Sequence, residues 1–382
     1  MLFRSGLDEL WLRKFVKAGV PTLSMNLHRV PESIRGYFGD GNAFGADITY
    51  VYEPEPSGTL GGAIKMVRAL QKKGFRPERI FIPSGDIISE LGEEQLREMV
   101  ERHVKSGAAF TVMLAPIPWE RRLDYGTAIL EGIAPNLDVP PGTYARIERF
   151  LEKVADSPSN ENNASNYLVE TDFLLQLEPY LTEAKAGVQE PCYDFGKHVL
   201  MGMTGKVPHL HFLTRYGRDL YGYEPGRLWF DVGQKRDYLE VNRAALDGAI
   251  SLVLPYRKTE WGWMGENVQM QMDRVTIKPP VIIGGRCTIA PGAVVGPYAC
   301  ISEGWVVKER AHIANSVLWP YYPCTGIAAD AIREIGPGVV VESAIVVAGR
   351  IESDLREQTA HSEPDGQLQV AGIDWTPGGE RV

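Results

Sequence analysis

The residues able to do chemistry in this chain of 382 residues stand where short apolar runs end. Ser57-Gly58-Thr59 lies between a run ending near Tyr52 and a helical pattern opening at Leu60. Glycine there lets the backbone approach a ligand closely, and N–H groups at a helix start favour an anion or a carbonyl acceptor. Ser84-Gly85-Asp86 follows the run Ile80 to Pro83. A carboxylate at a strand end can ligate Mg²⁺ through hard oxygens, or serve as a turn or helix-cap residue. Asp231, within Trp229-Phe230-Asp231-Val232-Gly233, is a second such carboxylate. Two of them in one cleft can share a Mg²⁺ with substrate phosphates. Glu152-Lys153 follows the run Ala145 to Phe150. Lysine offers a point charge to a phosphate and glutamate accepts hydrogen bonds from sugar hydroxyls, or the two form a solvated surface pair. The histidines offer less. His209 and His211 read as one face of a strand without a third metal ligand, and His312 is a single histidine.

Composition narrows the partners. A formal net charge of −9 opposes binding to a nucleic-acid polymer or an anionic membrane, since both need a basic face. A small anion held by a few cations and backbone N–H groups is still compatible. No apolar run reaches bilayer length, and the N-terminus lacks the apolar core and cleavage site of a secretory signal. The four cysteines, Cys192, Cys287, Cys300 and Cys324, show no CxxC spacing. They read as buried free thiols in a reducing compartment, which makes the expected location cytoplasmic.

The elements that must position these residues alternate helix and strand. Asp8 to Lys17 carries Leu10, Leu12, Phe15 and Val16 at helical spacing, with Gly19 as a stop. Thr22 to Leu27 then reads as a strand and Glu32 to Phe38 as a short helix. Ile48 to Tyr52 is a strand, Leu60 to Lys72 a helix and Ile80 to Pro83 a strand. Glu93 to Lys105 and Phe110 to Leu114 form another helix–strand unit, and Lys235 to Leu246 is a further helix. This alternation predicts an α/β, Rossmann-like domain with a mixed, mostly parallel sheet, whose ligands bind at strand C-terminal ends.

The second half changes period. Ile277, Ile283, Ile289, Val295, Ile301, Val307 and Ile313 fall six residues apart. Val275, Val281, Cys287, Ala293, Ala299, Trp305 and Ala311 stand two residues before them. Such a repeat builds one side of a triangular coil per six residues and buries one aliphatic ladder along its axis. After an interruption around Pro320 to Ala329, Ile335, Val341 and Val347 resume the spacing. The segment from Ile351 is polar and aperiodic, and is expected to be poorly ordered.

Taken in order, these segments resemble the NDP-sugar pyrophosphorylase family, and mannose-1-phosphate guanylyltransferases in particular. The resemblance lies in Asn26-Leu27-His28 through Gly41, Glu53 to Gly61, Gly85-Asp86, Tyr125-Gly126, Glu152-Lys153, Ser159-Asn160 to Asn163, and Trp229 to Gly233. It covers residues 7 to about 246, and the hexapeptide coil, introduced by Trp261-Gly262-Trp263, matches many members. It implies a GT-A-like nucleotidyltransferase domain over 1–246, a left-handed parallel β-helix over 260–350 and a polar tail over 351–382. Gly58 and Thr59 would lie against the nucleobase, and Asp86 and Asp231 would bind Mg²⁺. Gly126, Glu152 and Asn163 would contact the sugar, and Lys153 its phosphate. A sugar 1-phosphate oxygen would attack the α-phosphorus of a nucleoside triphosphate and release pyrophosphate, with GTP and mannose 1-phosphate the expected pair. The alternative is a noncatalytic, sugar-nucleotide-binding regulatory subunit. Homo-oligomerisation through the β-helix is implied as well.

The pattern departs from the family at three places. Val154 stands where proline is usual, and Ser165 where glycine is usual. The family's Gly-rich triphosphate loop and first strand would precede the helix at Asp8, where only Met1 to Leu7 stand. Met1 to Ser5 matches what a sequencing-adapter end encodes, so the expectation is an assembly artefact joined to a truncated gene. This chain would then be inactive or nearly so.

Overall fold

The computed structural model describes residues 7–28, 31–89, 91–185, 194–226, 228–250, 256–319, 331–362 and 368–372. Contacts divide the chain into two compact units, Leu7–Trp229 and Phe230–Val382, each described by itself below.

The first unit follows the predicted alternation closely. Its elements are α1 (Leu7–Lys17), β1 (Thr22–Leu27), α2 (Pro31–Phe38), β2 (Asp47–Tyr52), α3 (Gly58–Lys72), β3 (Arg79–Ile82), β4 (Ile87–Ser89), α4 (Glu93–Ser106) and β5 (Phe110–Pro116). Four strands follow: β6 (Gly126–Leu130), β7 (Thr143–Glu152), β8 (Glu161–Glu170) and β9 (Leu220–Glu224). The main sheet has the order β3-β8-β5-β9-β7-β6. Its strand directions correct the expectation of a mostly parallel sheet. Only β5 and β9 run parallel, while β3–β8, β5–β8, β7–β9 and β6–β7 are antiparallel. The reason is connectivity: no helix separates β6, β7 and β8, and parallel neighbours need a crossover. β1 and β2 form a separate parallel pair.

Side chains on β5 show how this sheet is filled. Phe110, Val112 and Leu114 point to one face and pack with Leu60, Ile64 and Val67 of α3. Met113 and Ala115 point to the other, where Trp11 and Phe15 of α1 meet Leu96 and Met99 of α4. The period of two on the strand and of three to four on the helices thus buries both faces. One region stays open. Among the described residues β1 pairs with β2 alone and β3 with β8 alone. Every residue of both strands lines a cavity of about 720 Å³, and Ile80, Phe81 and Ile82 are left only half-buried.

In the second unit the period of six becomes three stacked parallel sheets, the arrangement of a left-handed β-helix of hexapeptide repeats. Val281 pairs with Ala299, Thr288 with Val306 and Val294 with His312, each step one turn of three sides. Ile283, Ile301, Val295, Ile313, Val307 and Val341 are completely buried. The interruption around Pro320 to Ala329 falls on residues 320–330, which lie outside the described residues. One ladder position is corrected. Val346, not Val347, is the fully buried residue, paired in register with Leu318. The coil side before each of them is one residue short, since Ile301 pairs with Leu318. The coil also runs beyond the expected boundary at 350. Leu355–Arg356 pairs with Val341–Glu342, and Gln358–Ser362 closes as an antiparallel hairpin with Leu368–Gly372. Leu355 and Ala360 supply the buried side chains that a polar, aperiodic stretch conceals. Helix Lys235–Leu246 falls in this second unit, where Arg243 bonds Asn315 at 2.8 Å and stacks on Tyr298.

Pro208–Asp219 is a 3₁₀ helix with a kink at Leu210. His209 and His211 therefore do not alternate on a strand. Cys287 and Cys300 are buried free thiols; Cys192 and Cys324 lie outside the described residues. No described helix is long and apolar enough to cross a membrane.

Candidate active site

Three of the expected residues meet at the end of the β6–β7 pair. Gly126 opens β6 directly opposite Glu152, the last residue of β7. A Cβ on Gly126 would sit 2.5 Å from Glu152 Oε2 and 2.5 Å from Phe150 Cζ, so only glycine leaves this carboxylate its place. Asn163, on β8, turns its Nδ2 to Tyr167 at 3.0 Å and receives the Ser165 N–H on Oδ1 at 3.1 Å. Burial pushes the Tyr167 hydroxyl far above its usual range, so it stays a neutral partner.

Two further residues, not singled out from the sequence, complete the group. A Cβ built on Gly196 would lie 3.1 Å from Glu152 Oε2, 3.2 Å from Asp194 Oδ1 and 3.7 Å from Asn163 Nδ2. Two acceptor carboxylates and an amide therefore surround one bare backbone position. Burial raises the Glu152 pKa, and the Asp194 charge raises it further, against the opposing pull of Lys153 and Lys197. The available signal was Asp194-Phe195-Gly196-Lys197, which repeats the carboxylate–lysine pairing of Glu152-Lys153 around a glycine. Asp194 holds its own turn by accepting the Lys197 N–H at 2.9 Å. Lys153 is exposed beside this group, in a left-handed conformation with φ +54°.

Gly58 and Thr59 form the first turn of α3, and Gly58 has φ +74°. The loop ahead of them is anchored by Glu53, whose carboxylate accepts from Ser57, from Lys65 Nζ at 2.7 Å and from Asn26 Nδ2 at 3.2 Å. Burial works against this charge, but the three donors outweigh it and hold the carboxyl below its usual range. Thr59 Oγ1 accepts the Phe195 N–H at 3.0 Å. The helix-start loop and the Glu152–Asn163–Asp194 group are thus neighbours in one unit.

Asp86 is exposed in the turn between β3 and β4, and Oδ1 accepts the Ser84 hydroxyl at 2.5 Å. Asp231 ends the strand Trp229–Asp231 in the other unit and is 9% exposed, with Oδ1 on the Gly233 N–H at 3.0 Å. Among the described residues no three His, Cys, Asp or Glu side chains gather as a metal cluster.

A family model described as nucleotidyl transferase matches residues 7–248. The chain belongs to the nucleotidyl transferase family. Curated relatives of this nucleotidyl transferase act on sugar 1-phosphates, by their names. A UTP–glucose-1-phosphate uridylyltransferase of Synechocystis is 25% identical over 377 residues, covering 96% of this chain and 84% of that protein. A mannose-1-phosphate guanyltransferase of Pichia angusta is 28% identical over 198 residues, 51% of this chain and 43% of that protein. A mannose-1-phosphate guanylyltransferase of Mycobacterium tuberculosis is 25% identical over 241 residues, 63% of this chain and 56% of that protein. The nucleotidyl transferase chain therefore spans most of the first relative and about half of the other two.

Proposed function

We propose that this protein makes a nucleoside-diphosphate sugar and pyrophosphate from a nucleoside triphosphate and a sugar 1-phosphate. The observation that carries the reading is the convergence of Glu152, Asp194 and Asn163 around Gly196, one hydrogen bond away from the α3 start at Thr59. Carboxylates and an amide suit the hydroxyls of a hexose, and a glycine-rich helix start suits a base edge or phosphate. In this reading Glu152, Asn163 and the Gly126 backbone bind the sugar, Lys153 its phosphate, and Gly58 and Thr59 the nucleobase.

Mg²⁺ suits the hard oxygens of Asp86 and of Asp231, each taken singly, one in each unit. It prefers octahedral oxygen ligation and is usually held by one or two carboxylates together with substrate phosphates and water. When bound it would neutralise charge on the transferring phosphate. The chain's own part is positioning, since phosphoryl transfer asks mainly for alignment and charge compensation. GTP with mannose 1-phosphate is the first pair to test, by similarity to the guanylyltransferases. Homo-oligomerisation through the coil and a cytoplasmic location complete the proposal; sedimentation and cell fractionation test them.

The deciding experiment measures pyrophosphate release with GTP or UTP against mannose 1-phosphate or glucose 1-phosphate, alongside calorimetric binding of GDP-mannose and UDP-glucose. Turnover that disappears in Asp231→Ala supports the enzyme and its metal site. Binding of a nucleotide sugar without any turnover, in a form of the protein that carries a Gly-rich triphosphate loop ahead of α1, would instead support the regulatory subunit.

A further inference from the structure

Thr59 is exposed at the second position of α3, yet its hydroxyl is engaged. It accepts the backbone N–H of Phe195, a residue 136 positions away. On one side of this bond lies a loop with little slack. Glu53, 3% exposed, gathers Asn26 of β1, Ser57 of the loop and Lys65 of α3. A Cβ on Gly61 would meet Ser57 at 2.8 Å, and one on Gly62 would meet Glu53 at 3.2 Å, so loop and helix are in close contact. On the other side Phe195 is 1% exposed, its ring packed against Phe110 and Tyr167. Its neighbours Asp194 and Gly196 are the residues set against Glu152 and Asn163. The path from Glu53 through Ser57, Thr59, Phe195 and Gly196 to Glu152 is continuous.

We propose that Thr59 is a positioning residue whose hydroxyl, through the Phe195 N–H, couples the nucleobase loop to the carboxylates that hold the sugar. The inference rests on the nucleotidyltransferase reading of this site and deepens it. A base contact alone leaves this hydrogen bond without a role. With the bond in place, a ligand that orders the α3 start also fixes Asp194 and Gly196, and so the room available to Glu152. Coupling of this kind is reciprocal: occupancy of either half raises affinity at the other by the same factor.

The full chain carrying Thr59→Val, which keeps the shape and removes the acceptor, is compared with Thr59→Ser, which restores it. Mannose 1-phosphate and glucose 1-phosphate are titrated calorimetrically with and without GMP or UMP, and GDP-mannose and UDP-glucose are titrated alone. Thr59→Val is expected to weaken sugar 1-phosphate binding about 3- to 10-fold, the worth of one hydrogen bond of this kind, and to abolish its enhancement by the nucleotide. Thr59→Ser is expected to keep both. Amide exchange at Phe195 in the ligand-free protein should quicken in the valine variant and not in the serine variant. A valine variant that changes nucleotide affinity alone, or leaves Phe195 exchange unchanged, overturns the proposal. Wild-type protein that binds none of these probes overturns the site reading and the coupling with it, and Phe195 exchange then tells whether the tie itself exists.

Discussion

Gly126 and Glu152 face each other across two antiparallel strands, and a methyl group on Gly126 would come within 2.5 Å of the Glu152 carboxylate. The same methyl would strike the completely buried ring of Phe150, so the carboxylate and the ring would have to move together. Gly126→Ala is therefore expected to cost about 1–3 kcal/mol of stability through overpacking. It is also expected to lower nucleotide-sugar affinity at least as much as Glu152→Gln does. Denaturant unfolding and calorimetry read the two effects separately. An alanine variant with wild-type stability and affinity would show that this strand end is slack.

Glu152 should also give the site a pH signature. Burial, then the neighbouring Asp194 charge, raise its pKa. Between the ordinary carboxylate value and that raised value the folded state binds more protons than the unfolded one. Stability therefore falls as pH rises through this window. Glu152→Gln should remove that fall and be the more stable protein at neutral pH. Ligand affinity runs the other way. A sugar hydroxyl donates to the ionised carboxylate, so wild-type affinity should decline as pH drops through the raised value. The glutamine variant should lack this slope and bind more weakly by about 1.5–3 kcal/mol, the worth of a hydrogen bond to a charged group. Stability and binding curves from pH 4 to 8 would expose either sign as wrong.

The coil was legible because its physics is local and repeated. One aliphatic residue must enter the axis on each side, so Ile283, Ile289, Val295 and Ile301 announce themselves at a fixed spacing. The reading slipped where the spacing changed by one, at Val346, and where a polar stretch hides Leu355 and Ala360. In the first unit the helices and strands were legible for the same reason, whereas strand direction was not. Hydrophobic period is blind to whether β7 and β8 run with or against their neighbours. Most of the site lay further from view. Glu152 stood out by its place after a strand, Gly126 and Asn163 only by family resemblance, and nothing in their spacing brings the three to Gly196. Asp194 escaped altogether because its partner Glu152 is 42 residues earlier in the chain, and only the sheet makes them neighbours.

Ser165 tests the backbone beneath the sugar side. It holds φ +57°, a left-handed conformation, at the position where the family pattern usually has glycine. That conformation costs an L-residue about 1–2 kcal/mol, whereas glycine adopts it freely but loses more chain entropy on folding. The Ser165 hydroxyl also reaches Tyr167, which recovers part of the strain. Ser165→Gly is expected to gain about 0.5 kcal/mol, and Ser165→Val, stiff at Cβ, to lose about 2 kcal/mol. Thermal or denaturant unfolding ranks the three proteins. A valine variant as stable as the glycine variant would mean that the backbone here relaxes out of the left-handed region.

Lys14 offers a test far from the sugar side. It lies on α1, donates to the Ser89 carbonyl at 3.0 Å and sits 4.8 Å from the centre of the Trp11 ring. Among the described residues no carboxylate accompanies these contacts in its hydrogen bonds, and burial lowers its pKa to about 8. At pH 7 the folded protein must keep this lysine charged in a poorly hydrated place. Above pH 8 it loses the proton while the unfolded chain, at its ordinary value near 10.5, retains it. The unfolded state then binds more protons, so stability rises with pH between those values. Lys14→Met keeps the apolar stem and removes the charge. It is expected to be more stable than wild type at pH 7 by on the order of 1 kcal/mol, because the Ser89 and Trp11 contacts offset part of the burial cost. The advantage should shrink towards pH 10. Comparing the two proteins at each pH cancels the titration of tyrosines and cysteines common to both. A constant difference across that range would show that Lys14 titrates normally and that α1 opens readily at this point.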